Sequence, residues 1–164
     1  MQLRPHQKKA IQAMSKHNKG QVIVPTGGGK TICMIQDAIE QFKSDRLKTI
    51  VVVAPRILLA NQLCEEFLEF IDDVDVLHVH SGETHHDSTT NSKKIEEWHW
   101  KSRRHQLIFT TYHSLHKIQK ASAMLADTVY FDEAHNAVQK NFIEAVEHHS
   151  MYVVRNYFFT ATPK

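Results

Sequence analysis

Short apolar runs alternate with amphipathic stretches along the whole chain. Residues 49–54 are almost entirely apolar, without the polar alternation of a half-exposed strand, which predicts a strand buried on both faces of a sheet. In residues 57–70 the apolar side chains recur at helical spacing, with Leu63, Phe67 and Phe70 on one side. Further strands are predicted at residues 21–24, 75–79, 107–111, 128–131 and 157–160.

This order of elements predicts an α/β fold. Strands joined by helices need crossover connections, so the pattern favours three layers: a mostly parallel central sheet with helices on both faces. The 164 residues suffice for one such domain, spanning residues 1–164. In such sheets ligands bind beyond the carboxyl ends of the strands, where the candidate motifs of this chain fall.

A glycine-rich segment after the first predicted strand is the strongest chemical signal. Its glycines let the backbone curl so that several N–H groups point at a phosphate chain, and the following helix adds its positive end. Lys30 would then reach the β- and γ-phosphates, and the Thr31 hydroxyl would hold Mg²⁺. Val24 stands where the strict pattern has its first glycine, so a flexible turn is the alternative. The segment consists of Pro25, Thr26, Gly27, Gly28, Gly29, Lys30 and Thr31.

Two acids follow the predicted strand 128–131 directly. Asp132 can hold a metal ion, usually through water, and Glu133 can orient and deprotonate an attacking water, as phosphoryl transfer requires. The alternative is an acidic helix start. Thr160 and Thr162 follow the last strand, where their hydroxyls could bond to these acids or simply end the strand.

Taken together, the motifs make the chain resemble the first RecA-like domain of superfamily 2 helicases and translocases of the DEAH-box type, a P-loop NTPase domain. The opening motif and the single glycine loop look closer to the restriction-motor and repair-helicase branch, which acts on DNA, than to RNA-directed proteins. The matching segments are residues 3–7 (adenine recognition), 25–31 (motif I), 54–56 (motif Ia), 110–115 (nucleic-acid contact), 132–135 (motif II) and 160–162 (motif III).

The resemblance implies ATP and Mg²⁺ as cofactors. Gln7 would read the adenine base, with Arg4 stacking on it. Residues 26–31 would hold the phosphates, and Thr31 together with Asp132 would hold Mg²⁺.

The resemblance also implies catalytic and coupling roles. Glu133 would be the catalytic base. His135, Thr160 and Thr162 would couple the nucleotide state to the grip on nucleic acid. The implied catalytic group is Lys30, Asp132, Glu133 and His135. The implied nucleic-acid contacts are Arg56, Thr110, Thr111 and His113.

Such motors place a second RecA-like domain, in cis or in trans, against the first. That domain supplies arginines that stabilise charge on the transferring phosphoryl group. No later arginine-bearing motif follows Thr162, so we expect a piece of a longer motor or a naturally split half. Alone, it should bind nucleotide weakly and hydrolyse it very slowly or not at all.

Charge and composition add little about partners. The 20 Lys and Arg residues against 18 Asp and Glu residues give a net charge of +2, which neither announces nor excludes nucleic acid. Cys33 and Cys64 form no CxxC pair, which favours a reducing, intracellular compartment, cytoplasmic or nuclear. No apolar run is long enough to span a membrane, so no membrane-spanning segment and no membrane partner are expected.

Basic and histidine-rich segments leave alternatives open. Residues 101–105, with Trp98 and Trp100 just before them, could form a nucleic-acid patch, although a helix over 92–104 whose tryptophans pack on the sheet is favoured. The polar segment 81–92 is the candidate mobile loop.

The chain has 13 histidines, some of them clustered. A zinc site is conceivable around His78, His80, His85, His86 and Asp87, but no second anchored ligand pair is evident. His148 and His149 near a helix end are expected to be favourable charges when protonated.

Two other functions stay open. The chain could be a module that binds nucleotide or nucleic acid without hydrolysis, although the presence of Glu133 argues against a degenerate switch. A small kinase would need an arginine-rich lid, and no such segment is visible.

Overall fold

Within residues 2–25 and 29–162, which the computed structural model describes apart from the side chain of Thr162, seven strands alternate with helices. The strands are β1 (Lys19–Pro25), β2 (Thr49–Ala54), β3 (Val74–Val79), β4 (Asp87–Ser88), β5 (His105–Thr111), β6 (Thr128–Phe131) and β7 (Arg155–Thr162). The helices are α1 (Pro5–Lys16), α2 (Lys30–Gln41), α3 (Ile57–Phe70), α4 (Ser92–Lys101), α5 (Leu115–Lys120) and α6 (Ile143–Tyr152), with a 3₁₀ helix at Ala134–Val138. No helix of the described part is long and apolar enough to cross a membrane.

All the strands form one parallel sheet, in the order β1-β7-β6-β2-β5-β3-β4. The carboxyl ends of neighbouring strands are in register, since Pro25 pairs with Thr162 and Ala54 pairs with Thr111. This arrangement confirms the predicted α/β fold with a parallel sheet between two layers of helices. It also gathers the strand-ending motifs at one edge of the sheet.

Two apolar cores lie on opposite faces of the sheet. Val52 packs in the first core, together with Met34 of α2 and Phe67 of α3. Its neighbour Val53 points to the other face and packs in the second core, with Ile118 of α5. All six residues of β2 are buried, as the sequence pattern predicted.

Several details differ from the sequence pattern. The structure adds β4, α5 and the 3₁₀ helix, which are too short to show an apolar period. Helix α4 ends at Lys101 rather than at residue 104. Phe70 is 43% exposed at the end of α3, because the buried face of this helix runs through Leu63, Cys64 and Phe67.

A buried ion pair fastens two helices to the last strand. Arg155 of β7 donates two hydrogen bonds to the carboxylate of Asp37 in α2, at 2.9 and 2.8 Å. The same guanidinium donates to the Met14 carbonyl of α1 (3.1 Å), and the Tyr130 hydroxyl of β6 donates to Asp37. Apart from a hydrogen bond that Gln41 donates to Asp37 within α2, these contacts join elements that are distant in the chain.

Candidate nucleotide-binding site

A cleft of about 660 Å³ opens at the carboxyl edge of the sheet. It lies beyond the ends of β1, β6 and β7 and against the start of α2. Its lining includes Gly29, Lys30, Thr31, Asp132, Glu133 and His135. Two motifs about a hundred residues apart in the chain therefore meet in one cleft, whereas Thr26, Gly27 and Gly28 lie outside the described residues.

Gly29 starts α2 in a left-handed conformation, with φ of 73°. Glycine suits this position for a second reason, because a Cβ atom there would lie 2.6 Å from the Gln7 side-chain nitrogen. Gln7 is buried and donates to the Gly29 carbonyl (3.3 Å), and it accepts from the Arg4 backbone N–H (2.8 Å). Helix α1 thus supports the glycine loop directly, and the structure brings Gln7 to the predicted nucleotide site.

Lys30 faces both acids across the cleft. Its ammonium donates a hydrogen bond to a Glu133 carboxylate oxygen, and its Nζ lies 3.5 Å from Asp132 Oδ1. Burial alone would lower the pKa of Lys30, but the bond to Glu133 and the charge of Asp132 outweigh it and raise that pKa. Lys30 therefore keeps its positive charge in the cleft.

The backbone around the two acids is held from three sides. The Asp132 N–H donates to the Val53 carbonyl of β2 (2.8 Å), and the Tyr112 hydroxyl donates to the Asp132 carbonyl (2.7 Å). Glu133 has a φ of 48°, an unusual value for a residue with a side chain. Asn136 closes the turn, because its backbone and side-chain N–H groups both donate to the Glu133 carbonyl.

The Asp132 carboxylate fits a role as a metal ligand. Its Oδ1 is buried and makes no hydrogen bond within the described residues. Burial raises the pKa of Asp132, while the charge of Lys30 opposes that rise. A desolvated carboxylate oxygen facing a polar cleft suits a hard cation such as Mg²⁺, and the half-buried Thr31 lines the same cleft.

The predicted coupling residues are only partly gathered. His135 is mostly exposed, and its Nδ1 lies 3.8 Å from a Glu133 carboxylate oxygen. Thr160 is half-buried in β7, beside Ile23 of β1. The side chain of Thr162 is not among those described. The coupling role of these residues stays a prediction.

The residues predicted to contact nucleic acid fall into two groups. Arg56 is exposed and lines the nucleotide cleft, and the His113 ring is exposed beside Phe142. Thr110 and Thr111 are buried instead: the Thr110 hydroxyl donates to the Val79 carbonyl (2.7 Å), and that of Thr111 accepts from the Ser114 N–H (3.3 Å). These two hydroxyls bond to the protein's own backbone rather than face solvent.

The two tryptophans of α4 have different surroundings. Trp98 packs against the second core, as the favoured sequence interpretation expected. Trp100 is 57% exposed, and its indole N–H donates to the Ala123 carbonyl (3.1 Å). Arg104 from the basic run is tied to Asp75 by two hydrogen bonds of 2.9 and 2.5 Å.

Three of the histidines, His78, His80 and His149, are buried. His149 is 3% exposed, and burial lowers its pKa to about 4. The expectation of a favourable helix-end charge is therefore wrong for His149, which is neutral at pH 7. His78 and His80 are buried too, and Cys64, which the sequence reading gave no role, lies beside His78 and His86.

This sheet order, with the lysine and the two acids at its carboxyl edge, defines a RecA-like domain of the kind that forms the N-terminal lobe of superfamily 2 helicases. The chain belongs to the family described as type III restriction enzyme, res subunit, whose sequence profile matches residues 1–164. A comparison with curated proteins gave no match.

Solved structures share the fold at low sequence identity. A nuclease-deletion mutant of the type ISP restriction-modification enzyme LlaGI, in complex with a DNA substrate mimic, matches with a TM-score of 0.79 and 23% identity, over 100% of this chain and 18% of that one. The type ISP enzyme LlaBIII bound to DNA matches with 0.76 and 24%, over 100% and 13%. The Hef helicase domain of Pyrococcus furiosus matches with 0.70 and 17%, over 98% and 32%. The chain thus spans less than a third of each of these proteins.

Proposed function

We propose that this chain is the ATP-binding lobe of a nucleic-acid-dependent ATPase motor, a helicase or translocase of the DEAH-box type. In this proposal the lobe binds Mg-ATP and hydrolyses it when a second lobe is joined to it. Hydrolysis then drives movement on nucleic acid, with DNA favoured over RNA.

The meeting of Lys30, Asp132 and Glu133 in one cleft carries this proposal. The three groups lie at the carboxyl edge of a parallel sheet, next to the start of a helix. A phosphate chain there would meet the Lys30 ammonium and the N–H groups of the first turn of α2. A lysine and two acids in this position supply the charges that binding of nucleotide phosphates and a divalent cation requires.

Each acid has its own task in the proposed reaction. Asp132, whose buried Oδ1 makes no hydrogen bond among the described residues, would hold the cation together with Thr31. Glu133 would orient the attacking water and accept its proton at a carboxylate oxygen. Lys30 would leave its contact with Glu133 for the phosphates, which frees that carboxylate to act as the base. When bound, Mg²⁺ would neutralise charge on the β- and γ-phosphates.

The preference for DNA is supported by the comparisons rather than by the geometry. Two of the matching solved structures are described as complexes with DNA or with a DNA mimic. On this chain, Arg56 and His113 are the exposed members of the predicted contact set. Such contacts position the phosphate backbone of a nucleic acid without reading its base sequence.

Nucleotide binding by this chain tests the proposal most directly. We expect Lys30→Ala to weaken binding of a fluorescent ATP analogue roughly 10- to 100-fold, since a charge-assisted hydrogen bond contributes about 1.5–3 kcal/mol. Fluorescence anisotropy titrations in the presence of Mg²⁺ would measure the change.

A second lysine provides the matched control. Lys43, just past the end of α2, is exposed and pairs with Glu40 at 2.9 Å, so Lys43→Ala removes the same charge far from the cleft. This variant should bind like the wild type. Equal affinities for Lys30→Ala and the wild type would contradict the proposed site.

A further inference from the structure

A second cleft, of about 890 Å³, lies between α3 and the segment that follows β3. Three potential metal-binding side chains line it: Cys64 of α3, His78 of β3 and His86 just before β4. None of them belongs to the nucleotide cleft. Cys64 and His78 are buried, at 1% and 0% exposure, whereas His86 is exposed at the mouth.

The three side chains converge. One ligand atom from each, the Cys64 sulfur and a ring nitrogen of each histidine, lies within 4.8 Å of the other two. Ligand atoms around a tetrahedral ion with metal–ligand distances of ~2.0–2.3 Å lie somewhat closer, at about 3.3–3.8 Å. Small movements of the three side chains, most readily of His86 on its exposed segment, would close this difference.

An unsatisfied atom points to a ligand at this place. His78 Nε2 is buried and has no hydrogen-bond partner among the described residues. Leaving such a group unpaired costs about 1–3 kcal/mol, so a fully buried histidine with one free ring nitrogen needs an explanation. A cation bound by this nitrogen supplies one.

We propose that Cys64, His78 and His86 bind a zinc-type divalent cation. A thiolate and two imidazoles are the ligand set that such an ion prefers, and the fourth position faces the open cleft, where water can fill it. On binding, the Cys64 thiol loses its proton to solvent as the sulfur–metal bond forms. The cation then fastens the segment after β3 to α3.

His80 orients the proposed ligand from the second layer. Its Nε2 lies 3.0 Å from His78 Nδ1, and its own Nδ1 accepts from the Gly82 N–H at 3.1 Å. A metal-bound His78 donates its Nδ1–H to His80, as ligating histidines usually do to a neighbouring acceptor. His80 must then carry its proton on Nδ1, so this nitrogen no longer accepts from the Gly82 N–H. Cation binding thus breaks the Gly82 contact and lets His80 Nε2 accept the hydrogen bond from His78.

Cobalt titration tests this site, because a Co²⁺ ion bound by a thiolate shows a charge-transfer band in the near ultraviolet. We expect chelator-treated protein to develop this band with one equivalent of Co²⁺, and Zn²⁺ to abolish it by displacement. Cys64→Ala should lose the band. Cys33→Ala, which removes the other buried free cysteine, should keep it.

An exposed ligand keeps the test independent of folding. His86→Ala should leave the far-ultraviolet circular dichroism unchanged and weaken Co²⁺ binding at least ~10-fold. His17→Ala, which removes an exposed histidine at the end of α1, should bind like the wild type. Absence of the band in the wild type, its persistence in Cys64→Ala, or equal affinity in His86→Ala would each overturn the proposal.

Discussion

At the residue scale, the buried, neutral His149 makes the stability of the fold depend on acid pH. His149 has a ring nitrogen 2.8 Å from the Ala145 carbonyl, a contact in which the ring N–H donates. Its pKa of about 4 lies below the ordinary 6.5, because burial disfavours the charged ring. Between these two pH values the unfolded chain binds more protons than the folded one. Stability is therefore lost as the pH falls from 6.5 towards 4.

Acid denaturation of His149→Asn tests this contribution. At about 1.4 kcal/mol per pH unit across that window, the wild type should lose on the order of 3 kcal/mol of unfolding free energy through His149. An asparagine keeps an N–H donor for the Ala145 carbonyl but does not titrate. We expect urea denaturation of the variant at pH 7 and pH 4 to show a smaller loss than the wild type.

The neighbouring histidine is the control for the pH effect. His148 is only half-buried and contacts the rings of His149 and Tyr152. His148→Asn should keep most of the wild-type dependence on pH, because the charge of His148 adds less than burial does to the lowering of the His149 pKa. If His149→Asn kept that dependence too, the assignment to His149 would fail.

Lys30, Asp132 and Glu133 of the nucleotide cleft could be predicted from the sequence, whereas in the metal-binding cluster the sequence pointed to His78 and His86 but not to Cys64. Lys30, Asp132 and Glu133 each follow a strand, so the rule for parallel sheets places them together before any contact is known. Cys64 lies within a helix, and its approach to His78 depends on how that helix packs on β3 and β5. Spacing along the chain carries no information about such a contact.

At the scale of elements, the Asp37–Arg155 pair locks α1 and α2 onto β7. The carboxylate side chain is 6% exposed and that of the arginine 19%, so each of these little-exposed groups depends on the other for its counter-charge. The pair joins residues 118 positions apart in the chain. Asp37 sits on a helix face that otherwise looks apolar, and sequence reasoning had no signal for its partner.

Removing one member of this pair should be strongly destabilising. Arg155→Met leaves the Asp37 carboxylate buried without its counter-charge, a change that typically costs about 3–5 kcal/mol. Guanidinium denaturation should therefore show a clearly lower midpoint than for the wild type.

A surface pair offers a comparison of similar chemistry. Arg104 also donates two hydrogen bonds to one carboxylate, that of Asp75, but its side chain is 48% exposed. Arg104→Met should have much the smaller effect, since water replaces the lost contacts. Equal losses for the two variants would mean that burial does not set the cost of breaking the Asp37–Arg155 pair.

At the scale of the whole molecule, this lobe provides only one side of the proposed reaction site. The cleft holds the groups proposed for binding, metal coordination and proton abstraction, and it is open on its outer side. The lining of this cleft contains one arginine, Arg56, which is exposed. In the proposed reaction, arginines from another domain would stabilise the charge on the transferring group.

Hydrolysis should therefore depend on a joined second lobe. With that lobe supplied in cis or in trans, we expect ATP hydrolysis that DNA stimulates more than RNA does. Glu133→Gln should lower its rate about 10²- to 10⁴-fold while ATP binding is retained, because only the base is lost. Phosphate release and nucleotide binding would be measured on the same preparations.

A distant acid serves as the control. Glu144 lies in the first turn of α6, outside the residues that line the cleft, and Glu144→Gln should hydrolyse ATP like the wild type. An unchanged rate for Glu133→Gln would refute its role as the base. A DNA-stimulated rate from this chain alone would refute the need for a second lobe.

The position of β7 between β1 and β6 sets the order in which the protein can mature during its synthesis. β1 is made before the other strands of the described sheet, but its one partner there is β7, which is made after them. The strand that leads into the glycine loop therefore stays unpaired until the other six strands of the described sheet have been made. The glycine-loop side of the nucleotide cleft is therefore made before its acids, and the edge of β1 stays unpaired on the nascent chain until β7 has been made.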